Sequence, residues 1–94
     1  MKSYASIDRG EGKYTVLELE LIDTQTSEMI SFKDKETVML DVLTDEIITS
    51  VGEISEGDIL VIEHENGNLI SIYNKDDEEK QRRIELLNTI LNNT

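Results

Sequence analysis

Leu17, Leu19 and Leu21 alternate with Glu18 and Glu20. A period of two sends neighbouring side chains to opposite faces, so residues 13–22, KYTVLELELI, read as a strand with one face on a core and the other in water. Tyr14 and Val16 have the opposite parity to the leucines, and a bulge near Val16 is expected to turn both sets inward. The residues on either side agree with a sheet. YASID, residues 4–8, reads as a short strand, and Arg9-Gly10-Glu11-Gly12 between the two strands is a link of hairpin length. Its glycines suit the positive φ of a tight turn. A phosphate loop would need a helix after the glycines, and a strand follows instead.

The same rhythm recurs along the chain. MISFK, 29–33, alternates Ile30 and Phe32 with polar neighbours, and TVMLDVL, 37–43, places Val38, Leu40 and Val42 on one face. Residues 44–53 break the pattern: Ile47, Ile48 and Val51 suit a short α- or 3₁₀ helix with Asp45 near its start. SEGD, 55–58, is a turn that feeds a strand at 59–63. Asn66-Gly67 is the favoured dipeptide of a type I′ hairpin, returning the chain through Leu69–Tyr73. Both of these strands are apolar on both parities, which predicts central strands covered on two sides. Turns about every ten residues point to a mainly β (β+α) fold, a small antiparallel β-barrel or half-barrel with one C-terminal α-helix.

That helix is expected over about 76–92. Four acids, Asp76–Glu79, sit where the positive end of the helix dipole favours them. Asp76–Lys80, Glu78–Arg82 and Glu79–Arg83 have the spacing of i,i+4 pairs, each worth about 0.2–0.5 kcal/mol. Ile84, Leu86, Leu87, Ile90 and Leu91 cover an arc of about 160° at about 100° per residue, wider than docking on one sheet demands. The expectation is that Ile84, Leu87 and Leu91 pack on the barrel, that Leu86 and Ile90 stay exposed as partner contacts, and that Lys80 and Arg83 turn back to acids of the barrel.

Three blocks, IDRGEGKYTVLELE, SEGDIL and DEEKQRRIELLNTIL, occur in this order and spacing. The chain thereby resembles domain of unknown function family 3006, small bacterial proteins found chiefly in Gram-positive species. The resemblance implies a compact β-rich domain with a C-terminal helix. That family has no established activity, so the resemblance transfers no catalytic residue. Some members occur beside secreted metallo-β-lactamase-fold hydrolases. The chain departs from the family pattern in lacking proline altogether and in carrying extra residues between Ile22 and Thr37.

Composition narrows the functions. At 94 residues one domain is expected, with 1–75 as the barrel body and 76–94 as the helix. Cysteine is absent, which removes disulfides, thiolate metal sites and thiol nucleophiles. The net charge is −12; residues 1–75 hold 16 acids against 6 bases, and 76–94 hold 5 against 3. An acidic body repels phosphate backbones, so no nucleic-acid partner is expected. The N-terminus has no apolar leader and no run approaches the roughly 20 residues of a membrane span, so the expectation is a cytoplasmic protein without a membrane partner.

His64 is the only histidine and lies beside an acidic hairpin turn, where an exposed position is expected. No second histidine or cysteine accompanies it for zinc, and no Gly-x-Ser-x-Gly elbow accompanies it for a triad. Asp23–Glu28, DTQTSE, only faintly echoes an oxygen-ligand loop. Arg9 is expected to pair with Asp8 or Glu11 rather than with an external anion. No catalytic residue, metal site or cofactor is therefore expected. The function expected is a non-catalytic module that binds an unidentified protein partner or a second copy of itself as a homodimer. The alternatives are an acidic decoy of a basic nucleic-acid-binding surface and a divalent-ion-dependent accessory subunit of a hydrolase.

Overall fold

The computed structural model describes residues 1–26 and 35–92. Five antiparallel strands and two helices follow in the order β1 (Lys2–Glu11), β2 (Tyr14–Glu20), β3 (Thr37–Leu43), α1 (Thr44–Val51), β4 (Ile59–Glu65), β5 (Asn68–Lys75) and α2 (Asp77–Asn92). The strands form one sheet in the order β3-β2-β1-β4-β5, curled into a half-barrel. It is a half-barrel because β3 and β5 each end the sheet and do not pair with one another. The expected strand at 29–33 lies outside the described residues.

The first hairpin turns where Glu11 faces Tyr14, across Gly12 and Lys13. Gly12 has φ +60°, the positive value that a two-residue hairpin turn of the II′ kind requires at its first position. The Arg9–Gly12 glycine stretch is thus the end of a strand and its turn. Arg9 pairs with Asp8 and with Glu11, the latter at 2.8 Å. At the second hairpin Asn66 and Gly67 have φ +54° and +86°, the two consecutive positive values of a type I′ turn.

Odd-numbered residues of β1 and β2 and even-numbered residues of β3 and β4 share the concave face. Ala5, Ile7, Leu17, Leu19, Val42, Leu60 and Ile62 meet there, and Ile47 of α1 closes the mouth. Between Ile7 and Arg9 the β1–β2 register shifts, so Asp8 is the extra residue opposite the Val16–Leu17 step. The bulge lies where the parity conflict demanded one, but in the neighbouring strand. It does not merge the two sets: Val16 is buried outside the main cluster and Tyr14 stays 39% exposed.

Two further expectations are corrected. β4 is covered on both sides, but β5 is an edge strand whose Ile70 and Tyr73 face solvent. Its mixed apolar parity comes from two register shifts in the β4–β5 ladder, which skip Tyr73 and Ile70 and turn them outward.

His64 is 2% exposed, not a surface residue. It shares the parity of Leu60 and Ile62 and continues their inward row. Its Nδ1 accepts the Gly67 N–H at 3.1 Å, so Nε2 carries the proton and donates to Ser3 Oγ at 2.8 Å. Ser3 Oγ then donates to the Ile22 carbonyl at 2.6 Å. Every member of this chain is satisfied only while the imidazole is neutral. Burial, assisted by the positive N-terminus, holds the His64 pKa below its ordinary value against the opposing pull of Glu63. Ser3 and His64 lie within hydrogen-bond reach but form no nucleophile–base pair: Ser3 is fully buried, its proton is committed to a carbonyl, and a backbone N–H occupies the nitrogen that an orienting acid would hold.

A polar anchor and an exposed apolar face on the C-terminal helix

Helix α2 begins directly from the sheet. The Asp76 N–H donates to the Ile59 carbonyl at 2.7 Å, and the Asp76 side chain accepts the Glu79 N–H at 2.9 Å. Asp76 is thus the N-cap, satisfying one of the free amides of the first turn, and Asp77, Glu78 and Glu79 follow at the positive end of the dipole. Capping and charge set where the helix starts.

Charged side chains then fasten it to the convex face. Arg83 extends to Glu20 of β2 in a two-point fork, Nη1 to Oε2 at 2.8 Å and Nη2 to Oε1 at 2.9 Å. Its Nε donates to Glu79 at 2.6 Å, and its guanidinium lies 5.2 Å from the centre of the Tyr4 ring. Glu79 also accepts two bonds from Arg82, both at 2.7 Å, and Lys35 stands 3.5 Å from Glu20. Lys80 reaches Asp58 in the turn before β4 at 2.6 Å. Glu20 and Glu79 are 5% and 4% exposed, so these are largely desolvated charges that tolerate burial only because each is multiply paired.

Burial alone would raise the Glu79 carboxyl, but the hydrogen bonds from Arg82 and Arg83 outweigh it and hold its pKa below the ordinary value. Burial likewise favours a proton on Asp58, but the Lys80 ammonium and the Ser55 N–H outweigh it and hold its pKa below the ordinary value. For Arg83 burial disfavours the cation, yet Glu20 and Glu79 win and raise its pKa.

The expected inward turn of Lys80 and Arg83 is therefore realised. Of the three spacings on the helix itself, Glu79–Arg83 forms, while Lys80 turns to Asp58 and Arg82 turns to Glu79 three residues back. The face of β2 expected to be wet is partly roofed, because Glu20 lies beneath this anchor.

The apolar residues are placed differently from expectation. Ile84, Leu87 and Leu91 are 42%, 53% and 62% exposed, and so are not docked on the barrel. Ile84 and Leu87 only border a shallow groove of about 300 Å³ with Ile59, Gly57 and the stems of Lys80 and Arg83. The reason is geometric. The helix touches the sheet chiefly at β4, and its anchor occupies the first two turns. The stripe carrying Glu79 and Arg83 continues through Leu86, Leu87 and Ile90, but every residue from Ile84 to Asn92 is exposed. Leu86 and Ile90, at 39% and 47% exposure, share this exposed face with the other three apolar side chains.

Two functional signals were missed or only partly read. Glu20 and Glu79 pass in sequence for surface acids, and only the fold brings them to one arginine. Asp58 follows Gly57, whose φ of +87° aims the turn so that the Ser55 N–H and Lys80 both reach its carboxylate. Among the described residues no group of three or more His, Asp or Glu side chains is arranged to hold a metal ion. The Asp23 side chain, from the loop that echoed an oxygen-ligand site, accepts the Gln25 N–H at 2.8 Å in a local turn. Among the described residues no helix is long and apolar enough to cross a membrane. Comparison with protein-family models, curated proteins and solved structures finds no match to this chain.

Proposed function

We propose that this chain is a small non-catalytic cytoplasmic module that binds another protein through the distal half of α2. One observation carries the reading: five apolar side chains within eight residues are 39–62% exposed on a helix whose first two turns are held firmly by buried ion pairs. Contiguous apolar patches of this kind mark interaction surfaces. A nine-residue helical face is smaller than a standard flat interface of roughly 800 Å² per partner, so it suits a partner whose groove wraps the helix, with Leu86 and Ile90 as anchors. The order of the IDRGEGKYTVLELE, SEGDIL and helix blocks supports placing the chain with domain of unknown function family 3006, on which the β-rich body and C-terminal helix also bear.

The test is a pull-down from host lysate with tagged full-length protein, beside bait carrying Leu86→Glu and Ile90→Glu whose fold is checked by circular dichroism. A partner held by the wild type and lost by the variant supports the reading. A partner held equally by both rejects the helix as the contact; if it is basic and released by salt, the acidic-decoy reading replaces it. Light scattering over a concentration series separates a homodimer, whose mass rises with concentration.

A further inference from the structure

We propose that the outer edge of β3, unpaired among the described residues, accepts an extended, cationic segment of a partner protein, which adds a further strand to the half-barrel. This surface is separate from α2 and stands independently of the helix reading.

The two edges of the sheet are built differently. β5 is broken by two bulges, at Ile70 and Tyr73, and irregularity of that kind is how edge strands are shielded from further pairing. Among the described residues β3 shows no such irregularity. It pairs with β2 through seven uninterrupted positions, from Tyr14 opposite Leu43 to Glu20 opposite Thr37. Its sequence, TVMLDVL, holds no proline, glycine or lysine and is rich in residues that favour strands. Its outer backbone groups form no hydrogen bond among the described residues beyond the β2 ladder and its junction with α1. A regular edge of this length is a template for a further strand.

The surroundings specify what that strand carries. Between β3 and the start of β5 lies a groove of about 440 Å³, bordered by Leu40, Asp41, Val42, Glu46 and Leu69. It adjoins a second groove of about 560 Å³ that shares Glu46 and Leu69 and adds Asp45 of α1. Among the described residues, neither groove is lined by a lysine, arginine or histidine. Asp41, Asp45 and Glu46 are exposed, and among the described residues none of them forms an ion pair, whereas Asp8, Glu11, Glu20, Asp58, Glu63 and Glu79 all do.

Pairing partners share a face, so the parities along β3 separate cleanly. Val38, Leu40 and Val42 point to the concave core, while Met39, Asp41 and Leu43 point outward, with Met39 52% and Leu43 37% exposed. An added strand therefore presents apolar side chains on its inner parity, against Leu40, Val42 and Leu69. On its outer parity it presents lysine or arginine, flanking Asp41 and reaching the Asp45–Glu46 end. The partner segment is thus a short run of alternating basic and aliphatic residues.

The probe is the peptide acetyl-Lys-Val-Lys-Val-Lys-Val-amide, titrated into ¹⁵N-labelled full-length protein. Two control peptides accompany it: the same sequence N-methylated at alternate residues, and its Glu-Val counterpart. The expected result is that the Lys-Val peptide shifts resonances and slows amide exchange along Thr37–Leu43. The Glu-Val peptide does not bind. The N-methylated peptide, with equal charge but no ladder, binds at least about tenfold more weakly, and Asp41→Lys weakens the parent peptide by a similar factor. Equal binding of the N-methylated peptide overturns the proposal in favour of charge attraction alone. So does a response confined to β5 or α2, or no binding by any peptide. A dimeric mass with β3 amides already protected before peptide is added also overturns it, by assigning the edge to a second copy.

Discussion

Replacing Arg83 with Met tests the anchor of α2 most directly. The substitution keeps an aliphatic stem and removes the charge shared by Glu20 and Glu79. The side chains of all three are largely buried, at 12%, 7% and 3% exposure. Removing one partner of a buried ion pair costs about 3–5 kcal/mol, mostly because the other charge is left desolvated. Here Glu79 keeps Arg82 and Glu20 keeps Lys35, which brings the expected loss to about 2–4 kcal/mol. For a chain of this size the total stability is of order 5–14 kcal/mol, so the loss is a large part of it. Urea unfolding at pH 7 gives the difference, and the melting temperature is expected to fall by about 10–25 °C. A cycle with Glu20→Gln isolates the contact: the two changes should fail to add by about 1–3 kcal/mol. A loss below about 0.5 kcal/mol for Arg83→Met, or additive single effects, would refute the claim that this fork holds the helix in solution.

Acid should weaken the fold in two stages. His64 has a folded pKa below its unfolded value of about 6.5, so the unfolded chain binds the extra proton and stability falls as pH drops below that value. In urea midpoints at pH 7.5 and 5.5, His64→Gln should lose this part of the pH dependence. Asp58 and Glu79 are also depressed, so their contribution is intact above the usual carboxylate range, near pH 4, and is lost as pH falls through the folded values. Ser3→Ala leaves the buried His64 Nε2–H without its acceptor and should cost about 1–3 kcal/mol in the same assay. Leu86→Glu and Ile90→Glu, at exposed positions, should each change stability by no more than about 0.5 kcal/mol while abolishing partner capture.

Local pattern alone was enough for most of the architecture. Strands have period two and helices 3.6, and Asn66-Gly67 and Gly12 bias the backbone before any tertiary contact exists. The leucine–glutamate alternation, the two hairpins, the short helix after Leu43 and the C-terminal helix were therefore legible. So was the parity conflict that a bulge resolves, although which strand absorbs the extra residue depends on the pairing and fell to Asp8. The inward position of His64 was also encoded, in the row Leu60, Ile62 and His64, but its acidic neighbours masked it.

What the sequence left open is which side chains meet across the sheet. Glu20, Glu79 and Arg83 become one buried cluster only because β2 and the first turns of α2 are brought together, and a solvated acid and a paired buried acid look the same in sequence. A hydrophobic arc records which face of a helix is apolar, but not whether a surface lies beneath it. Here the ion pairs to the sheet lie in the first two turns, and every residue from Ile84 to Asn92 is exposed. Ile84, Leu87 and Leu91 consequently share the exposed face with Leu86 and Ile90, and buried charge rather than apolar packing holds the helix in place. The same limit applies at the sheet margin: the ladder order makes β3 and β5 edges, and only the two bulges of β5 set one edge apart from the other.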